Sequence, residues 1–515
     1  NFYRLNKFIF TVLAKLAGFA LYMIYFTFAL SHETGNEQAN CLIVGTLIGS
    51  VIFAINFIPP TYKKKFERAE IGKKISLVLN NIICLTIVII GCIAIVAINL
   101  NSYKKLRGLI GIVSFILISV FFSVKVSKIK WKQIVWSLIF QFVLYVVMLR
   151  IEFGRQIFEL ISDGMVDFLN HANAGSEFVF GEKYTNHPFA LQVLPMILFV
   201  SVVFSILYAV NVMQPFVIFF GHIFSIFFNT TLYESMCIVS NIFLGMSEAP
   251  LIVKPYLEFM TDSELNLIFT AGFATVSGSI MGAYIMYGAS PAHLLSASVM
   301  SVFGAITISK ILYPEISNFD EQQQDEQNDE QHDDSNVRND NNASIKSETR
   351  TKSVLEAITD GASTAMKIMT GIVANLLAFI PLLALLNTIL TWFGERVGVA
   401  NFTVQTICYY IFWPISYIIG VEQLECGIVG ELIGVKIFLN ELVAYQELSV
   451  YGILSERSIV IATYALCGFS NISAIGIQMA TFNVLIPGRK IKNLIVRSMI
   501  AGNLVCFLTA CIAGI

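Results

Sequence analysis

Two glutamates carry the most chemical information in this chain. Glu248 lies in Asn241-Ile-Phe-Leu-Gly-Met-Ser-Glu-Ala-Pro250 and Glu441 in Phe438-Leu-Asn-Glu-Leu-Val-Ala-Tyr445, each a short polar notch within apolar sequence. A carboxylate at membrane depth is costly unless it faces a partner, a cavity or water. What it offers there is a strong acceptor for ligand hydroxyl and amine groups. In both places the next apolar segment is interrupted by Gly, Ser, Thr or Asn. Such a doubled layout points to a transporter whose substrate sits near the bilayer midplane.

The notches imply their own geometry. A helix entering the membrane, a turn at Gly245-Met-Ser and a restart near Pro250 make a re-entrant hairpin, because proline is tolerated in the first turn of a helix. Backbone left bare at such a turn is allowed at membrane depth only where it is buried in protein or lines a cavity, so the turn should face a ligand. The following segment, Gly272-Phe-Ala-Thr-Val-Ser-Gly-Ser-Ile-Met-Gly282, concentrates glycine and hydroxyl residues. Small residues also serve plain helix packing. Beside a glutamate notch they imply an unwound turn whose carbonyls could coordinate a cation, with Thr275 adding a hydroxyl. In the second half, Cys467-Gly-Phe-Ser-Asn-Ile-Ser-Ala-Ile-Gly476 plays the same part. There Asn471 offers a donor and an acceptor, Ser473 a hydroxyl and Phe469 a face for stacking, a set suited to a polar ring ligand carrying a polyol. The competing structural reading is a buried Asn–Glu network that only holds helices together.

The elements that must position these groups follow from composition. The 515 residues are 56% hydrophobic and 13% charged, with a mean hydropathy of +0.72. Soluble domains carry roughly 25% charge, so the fold class expected is an all-α polytopic membrane protein. Net charge is −2 and no Lys/Arg cluster suggests a nucleic-acid partner. The nine cysteines are scattered singly and read as small core residues. No Ser/His, Cys/His or metal-ligand constellation falls within a span, which argues against an enzyme and leaves no catalytic residue to name. Opposed closed hairpins argue for alternating access rather than a channel.

Apolar runs of spanning length fall near 8–30, 41–59, 77–100, 107–124, 133–152, 190–212, 263–289, 292–313, 373–395, 457–486 and 492–514, about eleven in all. The first is too long for a signal-peptide core. Residues 233–258 and 423–449 are the two opposed hairpins, 214–230 a helix lying along the membrane, and 354–372 an amphipathic interfacial helix. The loop 153–189 is expected to hold one short amphipathic helix, starting at Ile157. Lys/Arg after the second and fourth spans and before the last place the N-terminus in the cytoplasm and the C-terminus outside. The acidic, Asn/Asp-rich tract within 314–352 is expected to be disordered and cytoplasmic. Glu431 and Lys436 are expected to pair along one hairpin arm.

The domain reading is an N-terminal three-helix extension over 1–106, then scaffold helices and an external loop over 107–213. A first transport repeat covers 214–290 (interfacial helix, hairpin, broken helix). A transmembrane helix over 291–313, the acidic loop 314–352, and interfacial plus scaffold helices over 353–401 follow. The second transport repeat, 402–515, closes an inverted-repeat architecture.

These segments resemble the concentrative nucleoside transporters, which couple nucleoside uptake to an inward cation gradient. Gly245-Met-Ser-Glu-Ala-Pro-Leu-Ile-Val-Lys-Pro-Tyr256 is similar to the family's GQTEAPLLIRPY. Ala274-Thr-Val-Ser-Gly-Ser-Ile-Met-Gly-Ala-Tyr284, the stretch from His293 to Glu315, Lys436-Ile-Phe-Leu-Asn-Glu-Leu-Val-Ala-Tyr-Gln446 and Tyr464-Ala-Leu-Cys-Gly-Phe-Ser-Asn-Ile-Ser473 follow in the family's order. The three spans before residue 107 resemble the extra helices of eukaryotic members. The resemblance implies a sodium-coupled nucleoside symporter, a homotrimer working by elevator-like movement in the bilayer, most naturally the plasma membrane. Gly245, Met246, Ser247 and Glu248 would line the nucleobase side, with Ile280 as an apolar contact. Glu441, Asn471, Ser473 and the position of Ala474 would hold the ribose, with Phe469 against the ligand. Sodium would take the side chains of Asn241 and Thr275 and the carbonyls of Leu244, Thr275 and Val276. Two departures stand out. Met246 replaces the usual base-contacting glutamine, and Ala474 replaces a serine on the ribose side. They leave open a shift toward purines, a less sugar-like solute, or relaxed affinity. Asn241 and Thr275 are both present, which favours sodium over proton coupling, the alternative being another polar solute on the same scaffold or coupling to protons.

Overall fold

In the computed structural model the described residues are 103–315 and 353–515, apart from 188, 211 and 400. The spans expected near 8–30, 41–59 and 77–100 and the acidic tract from 316 lie outside them. The described residues form helices α1 (Tyr103–Phe121), α2 (Trp131–Tyr145), α3 (Glu152–Asn170), α4 (Ala172–Phe180), α5 (Leu194–Ala209), α6 (Met213–Phe228), α7 (Leu232–Ser240), α8 (Asp262–Ala274), α9 (Gly278–Met286) and α10 (Pro291–Leu312). After the gap come α11 (Val354–Arg396), α12 (Val404–Ile411), α13 (Trp413–Ile418), α14 (Cys426–Phe438), α15 (Glu441–Val450), α16 (Glu456–Leu466), α17 (Ile472–Leu485) and α18 (Lys492–Ala513). No strand occurs among the described residues.

Five of the helical stretches are long and apolar enough to cross a membrane: Trp131–Leu149, Phe189–Ala209, Pro291–Leu312, Val354–Arg396 and Lys492–Ala513. α10 and α18 are buried along most of their length and form the centre with α8 and α16. α11 packs on α5 and leaves its apolar face bare, including Leu377, Leu382, Leu385 and Trp392. Two expectations are corrected here. The stretch 354–372 and the span 373–395 form one continuous helix through Pro381. Pro381 does not end it, and the strong helix formers Leu382-Leu-Ala-Leu-Leu386 carry the helix onward. The loop 153–189 contains two helices, α3 and α4, rather than one short one.

Both expected helix breaks are present. The stretch 263–289 divides at Thr275–Ser277, between α8 and α9, and 457–486 divides at Cys467–Asn471, between α16 and α17. The sequence reason is the same in each: a helix that ends at a small-residue run, followed by a polar N-cap. Asn471 caps α17 by accepting from the Ala474 amide at 2.8 Å, replacing a bond that the first turn of a helix lacks. Each glutamate notch falls at a turn between two consecutive helical segments that contact each other. In the first, α7 turns at 241–248 into a 3-10 segment, Ala249–Phe259, with Pro250 in its first turn and a break at Val253. In the second, α14 turns directly into α15, capped by Asn440, whose side chain accepts from the Val443 amide at 2.9 Å.

Candidate functional site

The first hairpin is anchored before it reaches its tip. Thr231 and Glu234 form a capping box at the start of α7, and the other oxygen of Glu234 accepts from Lys310 Nζ on α10 at 2.9 Å. Both side chains are buried. A buried pair is tolerable when its remaining atoms are bonded; here Lys310 also donates to Ser263 Oγ at 3.3 Å. The tip then sits on the first break. The Phe243 carbonyl accepts from the Gly278 amide at 3.0 Å, and a Cβ on Gly245 would lie 3.5 Å from that of Ser277. Ser298 on α10 accepts from the Val276 amide at 3.2 Å and donates to the Val276 carbonyl at 3.4 Å.

Within this contact Asn241 is buried and neither its Oδ1 nor its Nδ2 has a hydrogen-bond partner. A buried amide with both ends unpaired is destabilising by about 1–3 kcal/mol per group unless a ligand completes it. Thr275 Oγ1, also buried, donates to the Ala271 carbonyl at 2.8 Å and keeps lone pairs free. Amide, hydroxyl and carbonyl oxygens are hard donors and suit an alkali cation. The residues present therefore fit sodium.

The second break is held from α14 and α18. Lys436 is wholly buried and donates to Ser470 Oγ at 2.8 Å, Asn503 Oδ1 at 3.0 Å and the Ala465 carbonyl at 3.4 Å. The expected Glu431–Lys436 pairing is thus corrected. Those residues stand five apart, which places them on different helix faces, and the ammonium instead donates to the Ala465 carbonyl at the end of α16, where the helix dipole is negative. Asn503 also donates to the Ser470 carbonyl at 2.9 Å, and Cys506 Sγ to the Cys467 carbonyl at 2.6 Å.

Glu441 joins α9 to the break before α17. Its Oε1 accepts from Tyr284 Oη on α9 at 2.9 Å, and its Oε2 from Asn471 Nδ2 at 2.8 Å. Asn471 Oδ1 in turn accepts from Ser473 Oγ at 2.8 Å. Tyr284 stacks on Tyr445 with centroids 4.7 Å apart, and Tyr445 Oη donates to the Thr463 carbonyl at 2.7 Å. The Asn–Glu network weighed against a ligand site therefore exists. Each oxygen of Glu441 retains acceptor capacity beyond its one bond, so network and ligand site are compatible. Glu248 differs: it is half-buried and accepts only a long bond, 3.4 Å, from the Gly245 amide. No described hydrogen bond joins it to the Glu441 cluster.

Of the residues singled out from sequence, Glu441, Asn471, Ser473 and Ala474 are brought together by direct bonds. Gly245 meets Ser277, and Met246 packs beside Gly272. Phe469 is buried on the second break and Ile280 in the first turn of α9. Sequence reasoning missed Tyr284, Lys436 as a hub, the Glu234–Lys310 pair and Gln478, a wholly buried amide on α17. For Glu234, Lys310, Lys436 and Gln478 the signal was a polar side chain inside an apolar run. A cavity of about 530 Å³ lies elsewhere, lined among others by Arg155, Glu159, Asp163, His293 and Arg457, and contains neither hairpin glutamate.

Three family models match in succession: the Na+ dependent nucleoside transporter N-terminus over residues 110–183, nucleoside recognition over 190–291, and the Na+ dependent nucleoside transporter C-terminus over 293–514. The chain is similar to sodium/nucleoside cotransporter 2 of Rattus norvegicus, 34% identical over 93% of this chain and 73% of the relative. It is similar to solute carrier family 28 member 3 of Eptatretus stoutii, 38% identical over 79% of this chain and 59% of the relative. The chain thus spans less than two thirds of that protein's length. Among solved structures, CNTnw in an inward-facing substrate-bound state is 31% identical with a TM-score of 0.70, covering 80% of this chain and 97% of the other. A CNTnw variant in an outward-facing state gives a TM-score of 0.72 at 31% identity, covering 80% of this chain and 98% of the other.

Proposed function

We propose that this chain, which belongs to the Na+ dependent nucleoside transporter family, is a secondary active symporter that imports nucleosides driven by an inward sodium gradient. The observation that carries the reading is the Glu441–Asn471–Tyr284 cluster, a carboxylate at a hairpin tip bonded to both broken helices. A ribose hydroxyl donates to the free lone pairs of Glu441, while the base lies toward Gly245, Met246, Ser247 and Glu248, with Ile280 and Phe469 as apolar walls. Sodium is taken up by Asn241 and Thr275, with carbonyls of Leu244, Thr275 and Val276. Because the first hairpin rests on the break that carries Thr275, occupancy by sodium orders the base side before substrate arrives. Ion and substrate are thereby coupled through one contact.

On this reading 214–290 and 402–515 are inverted repeats, with hairpins that re-enter the membrane from opposite sides. α5 and α11 form a scaffold against which the repeats move as an elevator. The unpartnered apolar face of α11 suits lipid and the contacts of a homotrimer. The protein sits in the plasma membrane with its N-terminus inside and its C-terminus outside.

The test is uptake of radiolabelled uridine and adenosine into proteoliposomes, with and without an inward sodium gradient. Sodium-stimulated accumulation of either is expected. Absence of both from folded protein overturns the reading. Because Met246 and Ala474 lack the polar groups usual at those places, the competing reading is a different polar solute on the same scaffold, or coupling to protons. Nucleoside uptake driven by a pH gradient alone, or sodium-driven uptake of another polar solute with no nucleoside uptake, would favour it.

A further inference from the structure

Gln478 lies on α17 four residues after Ala474, on the same helix face, and is wholly buried. It meets the first repeat at Gly272: a Cβ there would stand 2.9 Å from Met246 Cβ and 3.0 Å from Gln478 Nε2. The absence of that Cβ lets the Met246 backbone and the Gln478 amide approach the same point from opposite repeats. Nε2 faces the Phe269 carbonyl across a long donor contact of 3.5 Å. One turn further along α17, Phe482 fixes the helix edge-on against Phe269, with centroids 4.5 Å apart. That leaves Oε1, buried and without a hydrogen-bond partner. Buried acceptors without partners are rare and call for an explanation.

The position supplies one. Met246 lacks a side-chain amide and Ala474 lacks a hydroxyl, and Gln478 is the one polar side chain that the described contacts place beside Met246 while sharing a helix face with Ala474. We propose that Gln478 selects the nucleobase: its free side-chain oxygen accepts a hydrogen bond from an exocyclic amine, replacing from the second repeat the polar contact that Met246 does not make in the first. The inference rests on the nucleoside reading above. An acceptor with its own N–H already engaged favours amine-bearing bases, such as those of adenosine and cytidine, over bases that present a carbonyl or nothing at that place.

The test compares ligand pairs differing in that amine, adenosine with purine riboside and cytidine with pyrimidin-2-one riboside. Binding to the purified full chain is measured by calorimetry in saturating sodium. A hydrogen bond of this kind corresponds to a preference of roughly tenfold or more for the amine-bearing member of at least one pair. Gln478→Leu should bring that ratio close to one, and adding Met246→Gln to it should restore a preference. Gln478→Glu keeps the acceptor, should keep the preference, and serves if the leucine variant fails to fold. An unchanged ratio in Gln478→Leu overturns the assignment, as does a ratio lost in Gln478→Glu. An effect confined to the sodium concentration needed for binding also overturns it, since that would place Gln478 at the cation. If the wild-type chain binds none of the four nucleosides, the transport reading itself falls and this assignment with it. If it binds them and the variants do not alter the ratio, only the assignment falls.

Discussion

Gly468 and Ala274 meet where the two broken helices cross. At φ 119°, Gly468 faces the first break so closely that a Cβ would lie 2.9 Å from the Ala274 carbonyl oxygen and 2.8 Å from that of Phe273. The contact is backbone on backbone, so neither side can move aside as a side chain would. The two interruptions, distant in sequence, are one structural object, and the groups that hold the second also position the first.

Gly468→Ala should therefore be severe. The left-handed conformation alone is unfavourable for alanine by about 1–3 kcal/mol, and the clash adds to it. We expect a clear fall in the thermal midpoint of the purified protein and loss of uptake. Gly476→Ala on α17, where nothing lies within 4 Å of the added methyl, is the matched control and should leave both unchanged.

Glu441 and Tyr284 separate acceptor from donor. Glu441→Gln conserves volume but weakens the acceptor offered to substrate, so uptake should fall to background while assembly on gel filtration is unchanged. Tyr284→Phe removes a single bond to a charged group, typically about 1.5–3 kcal/mol, and should reduce apparent affinity by roughly ten- to a hundredfold. Full uptake by Glu441→Gln would remove the carboxylate from the site.

Glu248, Glu441 and both breaks were legible because charge and glycine inside apolar runs have few structural uses. Tyr284 was not, since an aromatic in a span reads equally as packing, and only the fold carries its hydroxyl across to Glu441. Gln478 was hidden for a related reason: its meaning depends on Gly272, distant in sequence, leaving room beside it. Lys436 misled because a nearby glutamate in sequence suggested a local pair, whereas its acceptors come from the end of α16, the break and α18. The single helix over Val354–Arg396 read as two because its polar first half and apolar second half obey different patterns.

Lys436 should behave as an internal brace. Lys436→Met fills similar space yet leaves Ser470, Asn503 and the Ala465 carbonyl without a donor, and each bond to a charged group is worth on the order of 1.5–3 kcal/mol. Thermal stability in detergent should drop markedly. Lys436→Arg, which keeps the charge, should recover part of it. Equal stability of the methionine variant and wild type would show that the break is held without the ammonium.

Asn241 provides the sharpest test of ion coupling, because its amide is buried with both ends unpartnered and its only evident use is a ligand. Asn241→Leu removes the oxygen at similar volume and also removes an unsatisfied polar group, so the folded protein should be as stable as wild type or more so in sodium-free buffer. The added stability that sodium gives wild type by binding the folded state should then shrink, and the sodium concentration for half-maximal uptake should rise at least tenfold. Thr275→Val, which loses a hydroxyl already bonded to the Ala271 carbonyl, should shift the sodium dependence in the same direction by less. Thermal midpoints measured across a sodium titration, with potassium or choline holding ionic strength constant, separate the two effects. If Asn241→Leu keeps the full sodium-induced stabilisation, the ion binds elsewhere, and the buried amide must serve the hairpin rather than the cation.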